Sequence, residues 1–429
     1  MIKYTALIKF VTFDYMITKK LLIIGFVWPE PTSTAAGTRM LQLIELFQKD
    51  NYNIIFVSTA SKTNTSFNLE SININTFEIE LNNSNFDSFI KQLNPNIVLF
   101  DRFLTEEQFG WRVTKYCPNA IRILDTEDLH FLRKARQIAY KLNEELTIKQ
   151  LMNNTANREL ASIYRCDLSL IISKFELKLL KKTFKIDKSL LLYIPFLLEP
   201  TSFKKIESFP SLKERKNFMT IGNFKHEPNW NAVLYLKKEI WPLIRQKLPN
   251  VTMNIYGAYS SEKVHQLHNE KEGFLIKGWT DNIENVFKKS RVCLAPIQFG
   301  AGLKGKLIES MQYGTPSVTT TIGSESMHKK LPWNGFISND PIKFAAYATE
   351  LYTNEIIWKE AQKNGVRIIN KCYSKIKYSQ KLLKKINFLK ENVENHRLTN
   401  TIGVILQHHS HNSTKFMSKW IEEKNKNLK

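Results

Sequence analysis

Three residue types within one short stretch are suited to chemistry on an anion. They are the glycines Gly300, Gly302 and Gly305, the lysines Lys304 and Lys306 set among them, and Glu309 one helical turn further on. Glycines let backbone N–H groups approach a ligand, and a helix that starts beyond them adds positive partial charge. Two lysines make phosphate the fitting anion, with Lys304 expected nearer the surface. A carboxylate at Glu309 would accept from ribose hydroxyls. The same spacing also fits an ordinary strand–helix turn whose glycines serve packing. A second phosphate-competent loop is Gly222-Asn223-Phe224-Lys225, and a third glycine, Gly37, precedes Arg39 at a helix start. In the first half, Asp125, Glu127, Asp128 and His130 place four ionisable groups within six positions, where each can shift the others. Asp125 or Asp128 would equally serve as the cap of the helix that follows, and His130 as a packed ring.

The elements that must position these residues alternate in type. Continuous apolar runs such as Leu21–Val27, Ile121–Leu124, Leu168–Ile172 and Val292–Ala295 read as strands covered on both faces. Helical spacing separates them: Met40, Leu41, Ile44 and Phe47 after the Gly37 loop, Leu129–Tyr140 after the acidic cluster, and 307, 308 and 311 after the lysines. Ser173-Lys174-Phe175-Glu176 predicts a capping box opening a lysine-rich amphipathic helix over 177–188. Strand–helix alternation through both halves predicts two doubly wound parallel sheets. Polar groups just past the strands then sit where such sheets place their sites. The expected division is a first domain over 19–205, a second over 206–375 opening on a polar linker at 206–217, and a basic helical tail over 376–429.

The second half resembles the nucleotide-sugar domain of GT-B fold retaining glycosyltransferases, the large family 4. The resemblance rests on Gly300-Ala301-Gly302, Lys304-Gly305-Lys306, Glu309, Gly314-Thr315-Pro316-Ser317-Val318 and Gly323-Ser324. Gly222-Asn223 with Pro228-Asn229 and Trp241-Pro242-Leu243-Ile244 extend it, and it covers roughly residues 20–375. It implies a GT-B fold, two Rossmann-like domains facing a cleft, and a nucleoside-diphosphate sugar as donor. The implied donor-binding residues are Gly37, Arg39, Gly222, Asn223, Lys225, Gly300, Gly302, Lys304, Lys306 and Glu309. The implied catalytic residues are Asp128 and His130, touching the transferred sugar. Many members carry two glutamates eight positions apart. The second matches Glu309; the first falls at Ala301, and no acid lies between Pro296 and Gly305. In the family the leaving phosphate assists acceptor deprotonation on the same face, so no strong protein base is implied. The tail would cross back to the first domain.

Composition bounds the rest. A length of 429 residues exceeds one core, and 43% hydrophobic content supplies two. The charge of +22 calls for a negative partner: nucleotide-sugar, anionic membrane surface, anionic glycan or nucleic acid. Nucleic acid is not expected, because the aromatics fall within apolar runs rather than among basic residues. No Asp-x-Asp triplet or ligand-spaced cluster occurs, so neither a metal nor a cofactor is expected. The four cysteines form no metal spacing and read as reduced core thiols of a cytoplasmic protein. No apolar run reaches the ~18–20 residues of a membrane span. His408, His409 and His411 read as a surface patch. Residues 1–18 show no partner pattern, and Met16 is an alternative start. The reading is a glycosyltransferase acting on a glycan or lipid-linked acceptor in cell-surface polysaccharide synthesis, peripheral on the membrane. The alternatives are an epimerase-like relative that transfers nothing and a binder of anionic polymers.

Overall fold

The computed structural model describes residues 19–426; the readings made for residues 1–18 lie outside it. Among the described residues there are two sheets, and every strand pair within them is parallel. The first sheet contains β1 (Lys19–Gly25), β2 (Tyr52–Ser58), β3 (Asn75–Glu78), β4 (Ile97–Asp101), β5 (Ile121–Asp125), β6 (Leu168–Ile171) and β7 (Leu191–Tyr193), in the order β3-β2-β1-β4-β5-β6-β7. The second contains β8 (Lys216–Ile221), β9 (Met253–Tyr256), β10 (Phe274–Gly278), β11 (Ser290–Ala295), β12 (Ser317–Thr319) and β13 (Gly335–Ile337), in the order β10-β9-β8-β11-β12-β13. Strand order reverses beside β1 in one sheet and beside β8 in the other. Each reversal opens a crevice past the strand ends, where such sheets bind ligands.

The apolar runs become central strands because both faces are covered. Leu22, Ile24, Val98 and Leu124 pack into one layer, and Leu21, Ile23, Ile97 and Ile123 into the other. The four cysteines are free and buried. The chain crosses between domains twice, side by side. Leu198 N–H donates to Tyr373 O at 2.8 Å, and Lys375 N–H donates to Leu198 O at 2.9 Å. The polar stretch expected as a linker at 206–217 instead belongs to the second domain. Ile206 is buried, and Arg215 is fully enclosed, donating to Thr315 Oγ1 at 2.8 Å and to Tyr313 O at 3.1 Å.

Beyond the second crossing, the helix Lys375–Leu398 returns to the first domain, where Tyr378, Leu382, Ile386 and Leu389 join the layer under Leu21 and Ile23. The last helix, Thr401–Lys426, lies against the helices Arg102–Tyr116 and Asn154–Arg165. His411 is buried there, with Nε2 3.3 Å from Glu106, so the histidine patch read from sequence loses its third member. In the lysine-rich segment, Leu180 is buried and Leu177, Leu179 and Phe184 pack against the same core. Its apolar face is used up in folding, and its lysines, with Thr183 and Asp187, reach solvent.

Candidate active site

Between the two sheets lies a cavity of about 510 Å³ lined by loops of both domains. Its second-domain wall is built where β11 ends at Pro296. The loop turns through Gly300 (φ 153°) and Gly302 (φ 63°), conformations that favour glycine, into the helix Gly305–Gln312. No side chain caps that helix start, so its positive end faces the cavity. Lys306 reaches from the first turn to Asn229 Oδ1 at 2.8 Å. A Cβ at Gly222 would sit 2.9 Å from Lys306 Nζ and 2.8 Å from the Asn229 amide, and would displace both side chains. Burial pushes the Lys306 ammonium down to about 8, with Glu309 opposing it. Burial pushes the Glu309 carboxyl up to about 7, and Lys306 restrains it. Asn223 and Lys225 line the same wall. Lys304, expected nearer the surface, is buried: its Nζ donates to Gly302 O at 3.0 Å and holds the loop rather than reaching outward.

The first-domain wall is built from residues just past β4 and β5. Arg102 (φ 68°) and Glu127 (φ 61°) both adopt the left-handed conformation, a strain that accumulates at functional sites. Burial, and then Asp125, push the Glu127 carboxyl up to about 8. Its Oε1 is buried without a hydrogen-bond partner. Asp128 pairs with Arg133 and lies 3.4 Å from His130 Nε2. Burial alone would raise Asp128, but Arg133 and then His130 hold it far below the usual carboxylate range. Burial lowers His130 to about 3 against the pull of Asp128, so the ring is neutral.

Neither acid caps the following helix, His130–Leu142. Its free N–H groups are taken by glutamates from other helices. Glu159 accepts from His130 at 3.2 Å and from Phe131 at 3.0 Å, and Glu176 accepts from Leu129 at 3.0 Å. Asp125 is spent on Arg39. That guanidinium is 1% exposed, donates to both Asp125 oxygens at 2.7–3.1 Å, and also donates to Ile194 O at 2.9 Å. Arg39 is thus a buried strut and does not line the cavity. Gly37 does not line it either: a Cβ there would meet the Glu30 backbone at 2.5 Å. Thr34, Ala35 and Ala36 form the cavity edge of that helix start.

The walls are locked together by contacts that the sequence did not disclose. Glu176 does not close the capping box expected of it; Oε1 accepts instead from Gly302 N–H across the domain boundary at 2.8 Å. Arg136 donates to Gly300 O at 2.8 Å and to Glu325 at 2.8–2.9 Å. A Cβ at Gly302 would meet Asp128 Cβ at 2.8 Å, and one at Gly305 would meet Ala35 Cβ at 2.5 Å. The glycines thus serve close approach of the two domains. The sequence marked Glu176 only as the acid of a capping box, and Arg136 only as a charge on a helix following a candidate loop, which most surface residues share.

Residues 215–354 match the family described as Glycosyl transferases group 1. Among solved structures, a glycosyltransferase from Rickettsia africae superposes with a TM-score of 0.64 at 14% identity, covering 88% of this chain and 100% of that one. HepE of Anabaena, determined with UDP and glucose, gives 0.62 at 12% identity over 86% of this chain and 100% of that one. The pneumococcal O-GlcNAc transferase GtfA, determined with UDP and GlcNAc, gives 0.63 at 13% identity over 87% and 99%. An uncharacterised protein from the cps region of Klebsiella pneumoniae is 22% identical over 175 residues, and the match spans 39% of this chain and 45% of that relative. The chain has the GT-B fold, and residues 215–354 of its second domain are similar to the glycosyl transferases group 1.

Proposed function

We propose that the chain transfers a sugar from a nucleoside-diphosphate sugar to a hydroxyl of a glycan or lipid-linked acceptor, with retention of configuration. One observation carries this reading. Lys306, Glu309 and the uncapped helix start share one cavity wall, and the neutral His130 faces them from the other. The donor diphosphate would lie on Lys306 and the helix start, with Lys225 nearby and the ribose hydroxyls on Glu309. The bond from the anomeric carbon to the leaving phosphate oxygen breaks, and the acceptor oxygen bonds to that carbon. The acceptor proton passes to a phosphate oxygen on the same face. Charge growing on the leaving oxygens would meet fixed cations in the cleft, which stabilises the transition state more than the ground state. Because lysines and a helix start supply that charge, the reaction is read as independent of a metal. His130, held by Asp128, would orient the sugar as a neutral hydrogen-bonding group. The cps-region relative supports a role in cell-surface polysaccharide synthesis, and UDP in the neighbours supports a uridine nucleotide.

Calorimetry with nucleoside diphosphate and nucleoside separates the roles. Lys306→Ala removes a charge-assisted contact worth roughly 1.5–3 kcal/mol, so diphosphate affinity should fall at least tenfold while nucleoside affinity holds. Glu309→Gln should weaken both ligands. Unchanged nucleoside diphosphate affinity in both variants would reduce the loop to a structural turn.

A further inference from the structure

The helix Thr401–Lys426 is turned the opposite way from an ordinary surface helix, which faces its apolar stripe inward. Its inward residues are polar and bonded to the first domain. Ser410 Oγ accepts from Arg165 at 3.0 Å, and Ser418 Oγ accepts from Arg112 at 3.2 Å. His411 meets Glu106, and Glu422 accepts from Ser84 N–H at 2.8 Å. Its outward residues include Ile402, Ile405, Phe416, Met417 and Trp420, each between 51% and 66% exposed. At 100° per residue, Ile402, Ile405, Phe416 and Trp420 fall within an arc of about 60°, along a stripe ~27 Å long. The polar bonds fix the helix in this orientation, so the stripe cannot be buried by rolling it.

Charge decides what covers the stripe. Lys415 and Lys424 border it, their ammonium groups 5.2 Å and 5.3 Å from the ring centres of Phe416 and Trp420. Residues 376–429 hold eleven lysines and arginines against four glutamates, within a chain of net charge +22. A second copy would bring the same positive field and repel. An anionic lipid surface offers hydrocarbon to the stripe and phosphates to the lysines. Aromatic rings bordered by lysines are the composition of helices that lie in a bilayer interface. Among the described residues no helix is long and apolar enough to cross a membrane, so the helix would lie flat on it.

We propose that Thr401–Lys426 docks the chain on an anionic lipid surface, with Ile402, Ile405, Phe416 and Trp420 entering the headgroup layer. The first domain then becomes the membrane-side domain. This inference stands independently of the sugar-transfer reading, because no residue in it lines the cavity.

Co-sedimentation of the full chain with phosphatidylcholine vesicles, with and without phosphatidylglycerol, tests it. The chain should bind the anionic vesicles at low salt, leave the neutral ones largely unbound, and dissociate as salt rises. Phe416→Ser with Trp420→Ser should weaken binding about tenfold or more. Melting temperature and nucleotide affinity should be unchanged, since both side chains point into solvent. Lys415→Glu with Lys424→Glu should weaken anionic binding and steepen no other property. Three results would overturn the proposal: no binding to anionic vesicles at low salt, equal binding by the Phe416/Trp420 variant, or a lipid-independent dimer that this variant abolishes.

Discussion

Lys306 and Glu309 carry opposite requirements into the same cavity. Burial raises Glu309 to about 7 and lowers Lys306 to about 8. In the proposed donor pose Glu309 would accept from ribose best when ionised, so donor affinity should rise as pH climbs through about 7. Lys306 would hold phosphate only when protonated, so affinity should fall above about 8. Donor affinity is therefore expected to peak between those values. A calorimetric series with an intact nucleotide-sugar checks this, because Glu309→Gln should flatten the acid limb and Lys306→Arg the basic limb. A profile unchanged by either variant would assign the limbs elsewhere. Glu176 makes a second case. Glu176→Ala leaves the N–H groups of Leu129 and Gly302 without their acceptor, each costing roughly 1–3 kcal/mol if water cannot reach it. Glu176→Gln keeps one acceptor oxygen and should recover most of the melting temperature.

Elements meet in this fold where a residue type permits contact. The Gly302 loop enters the first domain beside Asp128 in a left-handed conformation. Gly302→Ala meets a backbone penalty of roughly 1–2 kcal/mol and a clash with Asp128. It should lower kcat/KM about tenfold or more while each domain keeps its helical signal. Retained activity would mean that the loop reaches its working position without that close approach. The last helix is held by the buried cluster of Glu106, Arg165 and His411. Burial would raise the Glu106 carboxyl, but Arg165 and then His411 hold it at about 2, below the ordinary value of 4.5. A depressed folded value means that this stabilisation is present above about 4.5 and is lost as pH falls towards 2. Glu106→Gln leaves Arg165 buried and unpaired, at a cost of about 3–5 kcal/mol. Hydrogen exchange should then quicken first in Thr401–Lys426.

For the whole molecule the variable is the angle between the two sheets. Arg136 ties its helix to Gly300 O and to Glu325, and Glu176 ties the same domain to Gly302. Such bonds across a cleft can exchange with solvent as domains open, which would admit donor and release product. Arg136→Ala should enlarge the radius of gyration measured by small-angle scattering without ligand, and nucleotide should reverse part of the change. Identical scattering from variant and parent would show that the paired crossings at Leu198 and Lys375 set the closure by themselves.

Alternating apolar runs and helical spacing determined two parallel sheets, because a strand covered on both faces must be continuously apolar wherever it lies. The Gly300–Glu309 stretch was legible for the same local reason: loop, lysines and helix start are consecutive, so their geometry follows from a few backbone angles. Gly222, Asn223 and Lys225 were equally local, and they do line the cavity. Arg39 was expected at the cavity because the family resemblance places the Gly37 helix start there; a helix rotates each residue by about 100°, and tertiary packing turned this one onto Asp125. Lys304 and Lys306 differ in the same way, two positions apart and pointing to different partners. Glu176 and Arg136 were invisible as site residues because their partners, Gly302 and Glu325, lie 126 and 189 positions away. Spacing along the chain carries no record of contacts made by domain closure. Local order along the chain set which loops could hold an anion; packing of one domain on the other chose which side chains of those loops face one another across the cleft.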